Sequence, residues 1–177
     1  MTIPEINDSL KSLTLVVDTR EQDTEQFRNR VKRTELPSVR RKLEFGDYSC
    51  FVKDSDGREI DFCGDFAIER KMSLDELAQC FTRDRKRFVR EFERAKERGA
   101  KLYLLVESAS WEKAFAGQYR TRVSASALVA SMTTWLARYD CQIVMCDPIT
   151  TPKMLKEICF REAKKRLEDI AEKEESV

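Results

Sequence analysis

The sequence predicts an α/β fold in which a central sheet is flanked by helices. Short apolar runs of strand length alternate with stretches whose apolar residues recur at helical spacing, and glycine or proline signals separate them. The chain has 177 residues, of which 41% are hydrophobic, and this suffices for one domain with a buried core. We expect a domain over residues 13–148, preceded by an N-terminal tail (residues 1–12) and followed by a charged C-terminal helix (residues 149–177).

The first half of this domain is predicted to consist mainly of strands. Residues 13–17 are apolar and β-branched, which predicts a central strand with polar residues at its C-terminal end. Residues 25–32 lack a convincing apolar stripe and predict a short exposed helix or a loop. Further strands are predicted over residues 39–45, 48–52 and 59–62, with a turn signal at residues 54–57.

The second half is predicted to alternate helix and strand. A capping pattern at Ser73 begins a helical stripe that runs to Gly99, and its gap at Asp84 and Arg85 predicts either a kink or a turn between two helices. Strands are predicted over residues 101–107 and 141–146, with an amphipathic helix over residues 124–139 between them. From Thr151 onward the pattern predicts a peripheral helix that becomes highly charged.

The composition excludes several classes of function. Histidine is absent, so the chain has no Ser-His or Cys-His nucleophile, no histidine base and no His-ligated zinc. The six cysteines form no CxxC pair and predict reduced core thiols. No glycine-rich phosphate loop indicates a nucleotide cofactor, and no apolar stretch approaches the roughly 20 residues that span a bilayer. Without a signal pattern at the N-terminus, we expect a cytoplasmic protein with no membrane attachment.

The charge is unevenly distributed, although the formal net charge is only +1. Between Arg28 and Lys42 there are seven Lys or Arg residues against one acid, whereas the segment from Glu168 onward is acidic. Affinity for nucleic acid depends on local neutralisation of phosphates rather than on the total charge. A nearly neutral chain can therefore present a basic face to DNA.

Two short segments carry the strongest chemical signal. In the apolar run that ends at Lys71, strand periodicity places Glu69 and Lys71 on one face and Arg70 on the other. Gly46 permits a bend that turns Asp47 toward Glu69. Two carboxylates from separate strands can hold Mg²⁺, and the lysine would lie beside the ion. For a Glu-Lys pair alone, a surface salt bridge would be the simpler interpretation.

Taken together with Asp18-Thr19-Arg20-Glu21 and Asp75, these segments resemble the nuclease domain of XPF-type structure-specific endonucleases. That family has the signature GD, a variable gap and ERKxxxD, which this chain carries as Gly46-Asp47 and Glu69-Arg70-Lys71 with Asp75. The resemblance covers roughly residues 13–148. It implies a restriction-endonuclease-like core of the PD-(D/E)XK superfamily, with a central mixed sheet flanked by helices.

The resemblance also implies roles for the site residues. Asp47 and Glu69 would bind Mg²⁺ or Mn²⁺, and Lys71 would orient or activate the attacking water. Acids at the end of the first strand supply two further candidates: Glu21 as an additional metal ligand, and Asp18 as a ligand or as a partner of Arg20 or Arg70. Arg70 and Asp75 complete the catalytic motif, and we favour an ion pair between them because Arg70 alternates away from the metal face.

Candidate DNA contacts lie outside the acidic motif. A basic stretch resembling one in the family follows the motif helix, and a second candidate group lies in a loop before the next helix; an ordinary solvated basic face is an equally good interpretation. The residues are Arg83, Arg85, Lys86 and Arg87 in the stretch, and Tyr119, Arg120 and Arg122 in the loop.

Eukaryotic and archaeal relatives usually append a tandem helix-hairpin-helix module, and this chain leaves no room for one. We therefore expect a stand-alone version like those of bacteria and phages, which would obtain specificity from a homodimer or a protein partner. The helix over residues 124–139, with Trp135 and Tyr139, is the candidate dimer face, although core burial explains these aromatics equally well.

The expected function is Mg²⁺-dependent hydrolysis of branched, flap or fork DNA in repair or recombination. Two alternatives stay open. One is a non-catalytic DNA-binding scaffold of the same fold, although inactive relatives generally lose the acids that this chain retains. The other is a metal nuclease that acts on duplex DNA or RNA.

Overall fold

The computed structural model of the protein describes residues 1–175 and divides into two units. The first unit comprises Met1–Leu43, Tyr48–Gly64 and the segment from Pro152, and the second comprises Glu44–Asp47 and Asp65–Thr151. Residues 176 and 177, the end of the predicted C-terminal helix, lie outside the described part of the chain. Within residues 1–175, no helix is long and apolar enough to cross a membrane.

The strands of the first unit pair in both directions. Strand β1 (Thr14–Asp18) runs parallel to β2 (Ser38–Arg41) and antiparallel to β3 (Tyr48–Lys53), and β3 forms an antiparallel hairpin with β4 (Glu59–Asp61). Every residue of β1 is buried, which agrees with the central strand predicted there. The helices of this unit are α1 (Ile3–Lys11), α2 (Glu25–Lys32) and, from Pro152, most of α7 (Thr151–Glu175).

The second unit contains three parallel strands and four helices. Strands β5 (Phe66–Lys71), β6 (Lys101–Glu107) and β7 (Gln142–Cys146) pair in that order. The helices are α3 (Leu74–Phe81), α4 (Arg85–Glu97), α5 (Trp111–Phe115) and α6 (Ala125–Tyr139). Aromatic and aliphatic side chains of α3, α4 and α6 pack on this sheet in one cluster. The predicted α/β class, with mixed strand directions and flanking helices, is confirmed.

The structure corrects the strand predicted over residues 39–45. Strand β2 ends at Arg41, and residues 42–47 form an irregular connection. Leu43 is buried in a cluster of the first unit with Val16 and Phe51, whereas Phe45 belongs to the cluster of the second unit. The two apolar residues therefore reflect burial in separate cores rather than strand alternation.

Other expectations are resolved by particular contacts. The gap at Asp84 is a turn between α3 and α4, closed by the Asp84 N–H, which donates to the Gln79 carbonyl at 3.0 Å.

Residues in the predicted N-terminal tail form helix α1, which begins with a capping box at Thr2 and buries Ile6 and Leu10. Helix α7 is not peripheral, because Leu155, Cys159, Ala163 and Leu167 are fully buried.

The aromatics of α6 belong to the core rather than to an exposed dimer face. Trp135 is fully buried and Tyr139 nearly so. The Trp135 ring lies 4.8 Å from that of Phe81 and 5.7 Å from that of Phe88, measured between ring centroids. Core packing therefore accounts for both residues.

Candidate active site

Strand β5 carries three charged residues at its C-terminal end. Its first half, Phe66 to Ile68, is apolar and has no solvent exposure, which fixes the strand within the second unit. Alternation then brings Glu69 and Lys71 to one face, where both are buried, with 4% and 6% of their surface exposed. The Lys71 ammonium donates a hydrogen bond to Glu69.

The connection before β3 brings Asp47 to the same place. Gly46 adopts a left-handed conformation (φ +72°), and an added Cβ would lie 2.6 Å from the Cβ of Ala67, so only glycine fits. The Asp47 N–H donates to the Ile68 carbonyl, and the Arg70 N–H donates to Asp47 Oδ2, both at 2.8 Å. These bonds hold the Asp47 carboxylate beside the peptide that joins Glu69 to Arg70.

The electrostatics of the buried pair leave Lys71 charged. Burial raises the pKa of the Glu69 carboxyl to about 7, opposed by the Lys71 ammonium and reinforced by the charges of Glu91 and Glu76. Burial acts to lower the pKa of Lys71, but the negative charges led by Glu69, with Asp47 among them, raise it above its ordinary value. Lys71 is therefore an ammonium at neutral pH, while Glu69 is a carboxyl that gains from a nearby cation.

The predicted pairing of Arg70 with Asp75 is corrected by the structure. Arg70 lies on the opposite face of β5 and makes two bonds to Glu107 at the end of β6, from Nε to Oε1 at 3.0 Å and from Nη2 to Oε2 at 2.6 Å. Both side chains are largely buried, with 13% and 5% exposed. The neighbouring strand, rather than the following helix, thus supplies the partner of Arg70.

Asp75, in the first turn of α3, instead holds a loop. Its Oδ1 accepts hydrogen bonds from the backbone N–H of Arg120 at 2.6 Å and of Thr121 at 3.0 Å. Tyr119 is fixed in the same loop by its hydroxyl, which donates to the Val123 carbonyl at 2.9 Å. The last acid of the motif therefore connects the motif to the basic loop that the sequence analysis selected.

Asp18 and Glu21 lie in the first unit, where both have partners. Asp18 is buried and accepts hydrogen bonds from the Arg20 backbone and guanidinium and from the Leu43 N–H. Burial acts to raise the pKa of Asp18, but these bonds lower it below its usual value. Glu21 accepts from the Tyr48 hydroxyl at 3.1 Å and pairs with Arg30 at 3.4 Å. For Asp18, these contacts favour the role of holding Arg20.

The basic stretch lies at the start of α4 and is exposed. Arg85 donates to the Phe81 carbonyl at 3.3 Å, and its guanidinium lies 5.2 Å from the ring centroid of Trp135. The first turn of α4 contains no acid, so cations lie at the end of the helix where the helix dipole disfavours them. Exposed members of the stretch are Arg83, Arg85, Lys86 and Arg87.

The acidic cluster suits a hard divalent ion with few protein ligands. Within residues 1–175, no group of three or more Asp, Glu, Cys or His side chains is arranged to hold a metal. Mg²⁺ commonly keeps several waters and takes one or two carboxylates together with substrate phosphate oxygens. Asp47 and Glu69 supply two carboxylates of this kind, and burial raises the pKa of the Glu69 carboxyl.

Residues 17–155 match the family model of the ERCC4 domain. The chain belongs to the ERCC4 domain family. This is a family of nuclease domains, and the resemblance to XPF-type nucleases predicted from the sequence is confirmed.

Two solved structures are similar to this ERCC4 domain, XPF from Aeropyrum pernix alone and in complex with DNA. The first is 18% identical over 82% of this chain, with a TM-score of 0.58, and the second is 19% identical over 86%, with a TM-score of 0.59. The chain spans 64% and 66% of the XPF chains in those two structures, and the likeness establishes the fold. A search of curated proteins gave no match.

Three acids near the motif were missed by the sequence analysis. Glu107 pairs with Arg70, Glu91 accepts the Gly46 N–H at 2.9 Å, and Glu76 accepts the Met72 N–H at 2.7 Å. For Glu107 a signal existed, because an acid that ends a buried strand needs a partner. Glu91 lies in a helix rich in charges and has no comparable signal.

Proposed function

We propose that this ERCC4 domain is a Mg²⁺-dependent endonuclease that hydrolyses phosphodiester bonds in branched, flap or fork DNA, with Mn²⁺ as an alternative ion. One observation carries the proposal: the Asp47 carboxylate is bonded to the Arg70 N–H, next to Glu69 and on the side where Lys71 acts on both acids. Inactive relatives generally lose these acids, so their presence supports catalysis over a scaffold role.

Asp47 and Glu69 would hold the ion. A bound Mg²⁺ supplies Lewis-acid polarisation of a phosphate oxygen and a water of lowered pKa. The left-handed turn at Gly46 and the bond from the Arg70 N–H keep the Asp47 carboxylate beside the peptide that follows Glu69, where the two acids would hold the ion together. For Glu21 and Asp18, a direct metal contact stays a prediction.

Lys71 would act as a hydrogen-bond donor and a fixed positive charge. Because its pKa is raised, the ammonium stays protonated and can donate a hydrogen bond to the attacking water or to a phosphate oxygen. A preorganised charge in a buried site stabilises the charge that develops on phosphorus oxygens in the transition state.

DNA would be held by the start of α4 and by the loop that Asp75 anchors. The positive side chains at the start of α4 are destabilised by the helix dipole, and binding to DNA phosphates would offset this electrostatic cost. The similar XPF structure in complex with DNA agrees with this type of ligand. Specificity for branched DNA would come from a second copy or a protein partner, in repair or recombination.

The test is cleavage of labelled flap, fork, duplex and single-stranded DNA, and of RNA, with and without Mg²⁺. We expect cleavage of flap or fork DNA that depends on Mg²⁺ or Mn²⁺. Asp47→Asn and Glu69→Gln should each lose cleavage by at least about 100-fold and retain DNA binding. A wild type that binds DNA without cleaving it would establish the non-catalytic scaffold. Preferred cleavage of duplex DNA or RNA would establish the alternative of a metal nuclease with those substrates.

A further inference from the structure

The segment that carries Asp47 is held from one side by helix α4. The Gly46 N–H donates to Glu91 Oε1 at 2.9 Å, and Arg94 Nε donates to the Glu44 carbonyl at 3.1 Å. Arg98, further along the helix, forms a salt bridge with the Glu44 side chain at 3.5 Å. Two side chains of α4 thus bond to the backbone directly before Asp47, and Arg98, at the C-terminal end of the helix, pairs with the Glu44 side chain.

The same short segment is also fixed by β5 and by the core. Phe45 is fully buried in the cluster that includes Phe88 and Phe92 of α4. The bonds of Asp47 to Ile68 and Arg70 complete the attachment. Of these contacts, only the one from Glu91 involves the N–H of Gly46. Gly46 is buried, and its left-handed conformation sets the direction of the turn that leads into Asp47.

Glu91 also lies close to the acidic cluster itself. Its negative charge contributes to the raised pKa of Glu69, so the two carboxylates interact. Glu91 is half-buried and its Oε1 is committed to the Gly46 N–H. It is therefore placed as an outer carboxylate that supports a ligand, an arrangement that commonly tunes metal sites.

We propose that Glu91 is a positioning residue for the metal site, which sets the place of Asp47 by accepting the Gly46 N–H. This inference rests on the proposed function, since it assigns Asp47 to a divalent ion. A backbone donor that loses its partner allows the turn to rotate, and a small displacement of one carboxylate weakens a two-carboxylate site.

The experiment compares Glu91→Ala with Glu91→Gln, in which the amide oxygen still accepts the Gly46 N–H. Glu97→Ala, an exposed acid of the same helix, is the control. Three measurements are made on the full chain: amide hydrogen exchange of Gly46 without metal, Mn²⁺ affinity by electron paramagnetic resonance without DNA, and the Mg²⁺ concentration for half-maximal cleavage.

For Glu91→Ala, we expect Gly46 amide protection to fall while that of Leu104 in β6 is unchanged, and the Mn²⁺ dissociation constant and the half-maximal Mg²⁺ concentration to rise about 10-fold. Glu91→Gln should stay within about threefold of the wild type, and Glu97→Ala should match it. Unchanged Gly46 protection or Mn²⁺ affinity in Glu91→Ala overturns the inference, as does a loss in Glu91→Gln equal to that in Glu91→Ala.

The two proposals fail in distinguishable ways. A wild type that neither binds Mn²⁺ nor cleaves DNA refutes the proposed function and, with it, the assignment of Glu91 to a metal site. A wild type that does both, beside a Glu91→Ala variant of equal Mn²⁺ affinity, leaves the proposed function standing and refutes the role of Glu91 alone.

Discussion

The buried ion pair between Arg70 and Glu107 decides whether Arg70 acts in chemistry or in folding. The pair is bidentate, at 3.0 and 2.6 Å, and only 13% and 5% of the two side chains are exposed. Its charges lie about 4 Å apart, which corresponds to roughly 4 kcal/mol at an effective dielectric constant of about 20. Removal of one partner leaves the other charge buried, and this typically costs about 3–5 kcal/mol.

A double-mutant cycle measures this coupling directly. We expect Arg70→Met and Glu107→Leu each to lower the free energy of unfolding by about 3 kcal/mol, and the double variant to lose less than the sum by at least about 2 kcal/mol. Urea unfolding at neutral pH provides the free energies. Since small domains are stable by only about 5–15 kcal/mol, such losses are readily measured.

Cleavage by the folded variants completes this test. If the pair is structural, the double variant should keep Mg²⁺-dependent activity within about 10-fold of the wild type, because no charge is left unpaired. The reasoning is refuted if Arg70→Met unfolds like the wild type and yet loses cleavage. That result would place Arg70 in the catalytic machinery.

Three further predictions follow from single contacts. Gly46→Ala should lower the free energy of unfolding by more than about 2 kcal/mol, measured in urea, and weaken Mn²⁺ binding. Gly57 is also left-handed, but nothing lies within 4 Å of an added Cβ, so Gly57→Ala should cost only about 1 kcal/mol and leave Mn²⁺ binding intact. Equal effects of the two substitutions would contradict the steric argument. Asp75→Ala should weaken DNA binding, measured by fluorescence anisotropy, about 10-fold at unchanged kcat. Asp75→Asn still accepts hydrogen bonds from both loop N–H groups and should bind DNA like the wild type. An equal loss of kcat in both variants would indicate a catalytic Asp75. Protons compete with the metal ion for Glu69, because the pKa of its carboxyl is raised to about 7. The Mn²⁺ affinity, measured by calorimetry, should therefore fall roughly 10-fold from pH 7.5 to pH 6. An Mn²⁺ affinity that does not change with pH would exclude Glu69 as a ligand.

Local periodicity accounts for what the sequence predicted well. Strand β5 is a short apolar run in which successive side chains alternate, so the shared face of Glu69 and Lys71 required no knowledge of the rest of the chain. The same holds for the bend at Gly46, because a glycine before an acid at a turn has a local conformational reason.

Contacts between distant segments were not predictable in this way. The partner of Arg70 is fixed by the register of β5 against β6, in which Arg70 lies opposite Leu105, and sequence alone does not give that register. Glu91 meets Gly46 and Asp75 meets Arg120 across 45 residues of chain in each case. Residues 39–45 show the converse, because burial in two cores imitated the alternation of a strand.

The most direct test of the metal site is a crystal structure of the protein soaked in Mn²⁺, with the ion located by its anomalous scattering. The proposed function predicts a peak bonded to an oxygen of Asp47 and an oxygen of Glu69, at about the 2.0–2.2 Å typical of small divalent ions, with Lys71 beside it. A peak that touches only one of these carboxylates, or none at saturating Mn²⁺, would contradict the claim that the two acids share one ion.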